Sequence, residues 1–159
     1  MKLYPNLVRA VIGALQQIFE EKKYADKVIE KTLKQDKRWG ARDRRFIAET
    51  TYDVVRWYRL LYEIKGSQPN TPKDWWELTG IWFIINNHSL PEWKEFKNLN
   101  ASTIKATYAS LKAHRAIKES IPDWLDELGQ AALSDGWSPT LSALNKTAPL
   151  VIRLSLIHI

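Results

Sequence analysis

The 159-residue chain contains no cysteine, which excludes a disulfide framework, a thiolate metal site and a cysteine nucleophile. Glycine occurs only 6 times, and none of these positions forms a phosphate-cradling loop between a strand and a helix. Histidine is confined to His88, His114 and His158, which lack the spacing of a metal site and suit surface or helix-cap roles. Long hydrophobic runs are also missing. No stretch approaches the ~18 uninterrupted apolar residues that span a bilayer, and Val8 to Leu15 is broken by Arg9 and Gly13. The expectation is a cytoplasmic protein with no membrane partner. No catalytic constellation emerges, and the paired acids Glu20-Glu21 and Asp126-Glu127 fall on exposed helical positions where they tune solubility or helix ends.

Apolar residues make up 45% of the chain, enough to bury one core, so one domain with a tail is expected. Lys and Arg outnumber Asp and Glu by 24 to 18, a formal charge of +6. The excess is uneven: residues 1 to 80 hold 16 basic and 11 acidic side chains, residues 81 to 159 hold 8 and 7. A polyanionic partner fits this balance, as does a merely solvated basic face.

Apolar spacing predicts helices throughout. Leu7, Val11, Ala14, Leu15 and Ile18 share one face of a first helix over 5–20, and Ala25, Val28, Ile29, Thr32 and Leu33 share one face of a second over 24–36. Phe46, Ile47, Thr50, Val54, Trp57, Tyr58 and Leu61 keep the period for about six turns, predicting one central helix from Arg42 to Ile64 that Gly66 stops. Three later starts combine a Ser or Thr cap, a proline and a following acid: Thr71-Pro72-Lys73-Asp74, Ser89-Leu90-Pro91-Glu92 and Ser120-Ile121-Pro122-Asp123. Asn100 or Ser102 caps a further helix with Ile104, Tyr108, Leu111 and the stem of Arg115 on its apolar face, and Ser138-Pro139 opens a last one ending near Asn145. Leu150, Val151, Ile152 and Leu154 read as a β-strand without a partner, so the chain is expected to stop inside a following domain.

The best functional signal is six cations in twelve residues, Lys34, Lys37, Arg38, Arg42, Arg44 and Arg45, around the turn Trp39-Gly40. One reading is a solvated connector in which Arg44 or Arg45 pairs with Asp43, Asp36 or Glu49. The other is a surface that neutralises phosphates and releases counterions from nucleic acid. Arg9, Arg56 and Arg59 extend that surface, unless Arg56 instead holds helices together through a buried carboxylate. Trp39 either stacks on an unpaired base or wedges the turn. Trp75, Trp76, Trp82 and Trp93 suit a core first and a partner contact second.

The order of these features resembles a known family. An amphipathic first helix, a second helix and Ala41-Arg42-Asp43-Arg44-Arg45-Phe46-Ile47 leading into Val54-Val55-Arg56 are similar to the NusB-like RNA-binding domain. The sequel Ser120-Ile121-Pro122-Asp123-Trp124-Leu125, then Leu144-Asn145, Ala148-Pro149-Leu150 and Ile152-Arg153-Leu154, is similar to the Ser-x-Pro-x-Trp-Leu signature and following strand of bacterial Sun-type RNA (cytosine-5) methyltransferases. One position departs: the family places Asn two residues after the strand arginine, and Ser155 stands there, which fits non-native sequence at 155–159.

The resemblance implies an all-α, NusB-like helical bundle with a truncated strand at its C-terminus. It implies a helical RNA-binding domain over 1–119, connecting helices over 120–147 and the start of a truncated domain over 148–159. It implies an S-adenosylmethionine-dependent parent enzyme with two catalytic cysteines. This chain has no cysteine and no cofactor loop, so it is expected to be non-catalytic and to bind no cofactor itself. Its implied task is to dock ribosomal RNA, through Lys34, Lys37, Arg38, Arg42, Arg44, Arg45 and Arg9, for a catalytic domain absent from the chain. The competing reading is a free-standing NusB-like antitermination factor or RNA/protein adaptor whose middle tryptophans meet a protein. A hydrolase or metal enzyme has only isolated histidines behind it.

Overall fold

The computed structural model describes residues 2–146. Every regular element among them is helical: α1 (Pro5–Phe19), α2 (Ala25–Leu33), α3 (Ala41–Arg56), α4 (Tyr58–Lys65), α5 (Pro72–Ile85), α6 (Ala101–Leu111), α7 (Arg115–Lys118), α8 (Asp123–Leu133) and α9 (Trp137–Leu144). Short 3-10 turns stand at Lys94–Phe96 and Ser134–Gly136. The all-α expectation is met. The strand expected at 150–154, and with it Pro149, Arg153 and Ser155, lies outside the described residues.

Local chemistry accounts for most of these boundaries. Pro5 occupies the first helical position of α1, where its fixed φ suits the helix and its missing N–H is not needed. Thr71 and Asp74 form a reciprocal capping box at the start of α5, and the Asn100 side chain accepts from the N–H groups of Ser102 and Thr103 to start α6. Gly66 ends α4 with φ of 88°, a conformation that costs a residue with a Cβ.

Burial follows the periodicity. Val8, Val11 and Leu15 of α1, Ile47 and Val54 of α3, Leu61 of α4 and Trp75, Leu78, Ile81 and Phe83 of α5 are all sealed from solvent. Each such side chain is worth about 1.5–3 kcal/mol of burial. α1 packs most extensively against α3, with α2 and α5 completing its surroundings. Phe19, Tyr58 and Trp75 stack in series, with centroids 4.2 and 5.2 Å from Phe19, and the Trp75 indole donates to Glu20 at 2.7 Å. Glu20 is therefore a structural acceptor, in addition to any role in solubility. Lys65 of α4 and Asp74 of α5 form a largely buried pair at 2.7 Å that ties the two helices together.

The structure corrects five expectations. The long central helix is broken at Trp57 (φ −98°, ψ 17°) into α3 and α4. Apolar periodicity missed this because Val54 and Leu61, on either side of the break, remain fully buried. Ser89-Leu90-Pro91-Glu92 starts no helix. Trp93, Phe96 and Leu99 follow it at three-residue spacing, and the 3-10 turn there lays Phe96 and Leu99 over Gly80 of α5. A Cβ at Gly80 would collide with the Leu99 side chain, so that position is glycine for close packing. Ser120 does not cap α8: it sits at φ 54°, and Pro122 occupies the capping position. Arg115 does not lie on α6. It opens α7 and forks onto Asp126 of α8 at 2.7 and 3.1 Å. Asp126 also accepts from the Trp137 indole at 2.8 Å, so it is an internal linchpin rather than an exposed solubility residue.

The last helices have a small core of their own: Ala116, Ile121, Trp137 and Leu141, with Leu125 packed against it. Two arginines fasten this unit to the bundle. Arg56, at the end of α3, donates to the carbonyl oxygens of Ser120 (3.3 Å) and Glu119 (3.2 Å) and to Asn145 Oδ1. Asn145 in turn donates to the buried Glu119 carboxylate at 2.6 Å. Arg59, in α4, donates to the Ile121 carbonyl and to both oxygens of Asp123 at 2.8 and 2.9 Å. Arg56 and Arg59 are thus the latch between the two parts of the fold and do not extend a basic surface.

Candidate nucleic-acid interface

The turn between α2 and α3 presents its six cations in different states. Lys34 pairs with Glu30 at 2.6 Å, and Arg45 with Glu49 at 2.8 Å, each across one helical turn. Arg38 forks onto Asp36 at 2.7 and 2.9 Å, and these hydrogen bonds hold the Asp36 carboxyl down to about 2. Arg44 is half-buried and donates through Nε to the Trp39 carbonyl at 3.0 Å. Asp43 accepts from the Gly40 N–H at 3.2 Å and so caps α3. Lys37 and Arg42 are exposed and have no acid partner among the described residues, and the same holds for Arg9 on α1.

The solvated-connector reading is therefore realised for Lys34, Arg38 and Arg45, though with Glu30, Asp36 and Glu49 as partners. Exposed pairs of this kind are weakly held in water, so a phosphate can displace the acid at little expense. Arg44 is different, because it organises the turn itself. Trp39 is buried in the main core, so it wedges the turn and presents no face to a base. Trp75 is buried and Trp76 packs edge-on against Trp93 and Phe96, which gives most of the middle tryptophans to the core.

Geometry adds a feature absent from the sequence reading. Arg42 and Arg45 line a groove of about 790 Å³ bounded by the start of α1, one face of α3 and the end of α5. Lys2, Tyr4 and Asn6 stand on the first wall, Phe46, Glu49 and Asp53 on the second, and Trp82, Asn86 and His88 on the third. On α3 the residues 42, 45, 46, 49 and 53 recur at helical spacing, which is why they share this face. Arg9 follows Asn6 by three residues, one turn further along α1. Burial, with the neighbouring Glu49 carboxylate, pushes the Asp53 carboxyl above its ordinary value. The sequence held one signal for this: Glu49 and Asp53 are like charges four residues apart, an arrangement that disfavours a helix unless something else uses it.

Among the described residues there is no cluster of His, Asp and Glu fit to hold a metal ion, and no helix long and apolar enough to cross a membrane. The functional side chains thus amount to a rim of cations around a mixed aromatic and polar groove. Compared with known proteins, the chain matches no family model, no curated protein and no solved structure.

Proposed function

We propose that the chain is the RNA-docking module of an S-adenosylmethionine-dependent ribosomal RNA (cytosine-5) methyltransferase, a NusB-like helical domain that holds RNA for a catalytic domain. The observation that carries the RNA-binding part is Arg42. It is exposed, has no acid partner among the described residues, and stands on the rim of a groove that is also lined by Lys2, Tyr4, Phe46, Trp82 and Phe83. Lys37 and Arg9 add unpartnered charge, and Lys34, Arg38 and Arg45 supply cations whose present acids are weakly held. The methyltransferase part rests on the resemblance of Ser120 to Leu125 and the residues that follow. It gains support from α8, where Trp124 and Leu128 are 64% and 59% exposed one turn apart, a face suited to cover by further protein.

Binding to a stem-loop RNA with single-stranded flanks tests the docking role. If Lys37, Arg42 and Arg9 each meet one phosphate, log K against log salt has a slope of about −2 to −3. Changing all three to Ala flattens that slope and leaves the unfolding midpoint in place, because all three are exposed and none makes a side-chain hydrogen bond or ion pair among the described residues. Arg44 is omitted from this variant, since its loss would loosen the turn and confuse binding with folding. An unchanged slope removes these residues from the interface.

A further inference from the structure

We propose that the groove between α1, α3 and the end of α5 receives a single unpaired guanine base of the docked RNA. The inference rests on the RNA-docking reading and narrows it to one base in one place.

Size and shape come first. About 790 Å³ lies within the range of pockets that enclose small ligands, roughly 300–1,000 Å³. Lys2 and Arg42 supply positive charge among the lining residues, where the flanking phosphates of a strand would run. The groove cannot itself be a phosphate site, because Glu49 and Asp53 would repel the anion.

The lining then selects a base. Trp82 is half-buried and forms no ring pair with another aromatic among the described residues, in contrast to Trp75, Trp76 and Trp93. It is therefore available as a stacking platform, with Phe46 and Tyr4 on the other walls. The half-buried Asp53 carboxylate accepts no side-chain hydrogen bond from the described residues, and its Glu49 neighbour makes its negative charge less comfortable. A carboxylate in that condition is stabilised by a ligand bringing two parallel donors. Guanine does so through N1–H and the exocyclic N2 amino group. Uracil offers one N–H between two carbonyl oxygens, which would face the acid unfavourably. Adenine and cytosine each place an acceptor beside their amino group. Asn6 lines the groove with an amide that can donate to the guanine O6, while the Asn86 amide already donates to the Trp82 carbonyl at 2.9 Å and helps fix the end of α5.

Calorimetry on the whole chain at low salt, with the single-stranded pentamers UUGUU and UUUUU, tests the inference. UUGUU is expected to bind at least about fivefold tighter, the lower end of discrimination by a two-bond base contact. Asp53→Asn, nearly isosteric, should abolish that preference, so that UUGUU loses its advantage and the two pentamers bind alike. Trp82→Leu should weaken both pentamers, its folding checked separately by urea unfolding. Equal binding of the two pentamers by the unmodified chain overturns the guanine pocket. If the stem-loop RNA still binds with the salt slope given above, the docking function survives that loss, and if it does not, both readings fall. Capture of N-acetylarginine amide in an Asp53-dependent manner, with no preference for UUGUU, would assign the groove to a basic peptide and overturn the proposal.

Discussion

Replacing Arg56 with Ala should release the α7–α9 unit while the main bundle stays folded. The guanidinium bonds two backbone carbonyls, at 3.2 and 3.3 Å, and the Asn145 side chain, beside the buried Glu119 carboxylate. Burial pulls the Arg56 guanidinium down from its ordinary value and the Glu119 charge opposes that, so the cation and the acid depend on each other. A hydrogen bond to a charged group contributes about 1.5–3 kcal/mol, and the two carbonyl contacts are long. The combined loss, including the Coulombic attraction to Glu119, which keeps Lys118 at 3.1 Å and Asn145 at 2.6 Å, is about 2–4 kcal/mol. That corresponds to a roughly 30- to 700-fold fall in hydrogen-exchange protection for amides whose opening breaks the latch. The fall should be confined to α8 and α9, with α1 and α5 near their original protection. Arg56→Lys keeps the charge but not the fork and should recover only part of the protection. A drop below about threefold in α8, or an equal drop in α1, would refute the latch.

Two further predictions concern the same end of the molecule. Gly129→Ala places a methyl group against the Trp137 indole and should cost about 1–3 kcal/mol by overpacking, read as a lowered urea midpoint, whereas Gly13→Ala, where nothing is near, should not destabilise. Asp126 has its pKa lowered, first by the hydrogen bond from Arg115, so its contribution is complete above the unfolded value of about 3.9 and disappears as pH falls through its depressed native value. Acid unfolding followed by exchange should therefore lose α8 and α9 in that window, and Asp126→Asn should remove the pH dependence there; a variant that keeps it would sink the assignment.

Helices α1, α5 and α6 were legible because their signals are local: a periodic apolar face with Pro5 at the first position for α1, and a capping side chain at the start of α5 and of α6. The break at Trp57 was not, since its cause is non-local. Arg56 and Arg59 on either side reach residues more than sixty positions away. Ser89-Leu90-Pro91-Glu92 carried the chemistry of a helix start without the apolar period to sustain one, and the three-residue spacing of Trp93, Phe96 and Leu99 was the contrary sign. At the candidate interface the i,i+4 pair of Arg45 with Glu49 could be read directly. The groove could not, because Lys2 ahead of α1, Asp53 of α3 and Trp82 of α5 meet only when these segments pack.

The latch grips main-chain oxygens at 119, 120 and 121, so across that strip it reads a contour of the backbone, with the Asn145 and Asp123 side chains as its only side-chain hydrogen-bond partners among the described residues. Ser120 holds that contour at φ 54°, where its own hydroxyl is buried without a partner among the described residues. Along residues 119–121 such a device depends on the backbone path, so substitutions there that keep the left-handed corner should leave the carbonyl contacts of both arginines in place. Glycine is the substitution the corner would welcome, and a β-branched residue the one it would refuse.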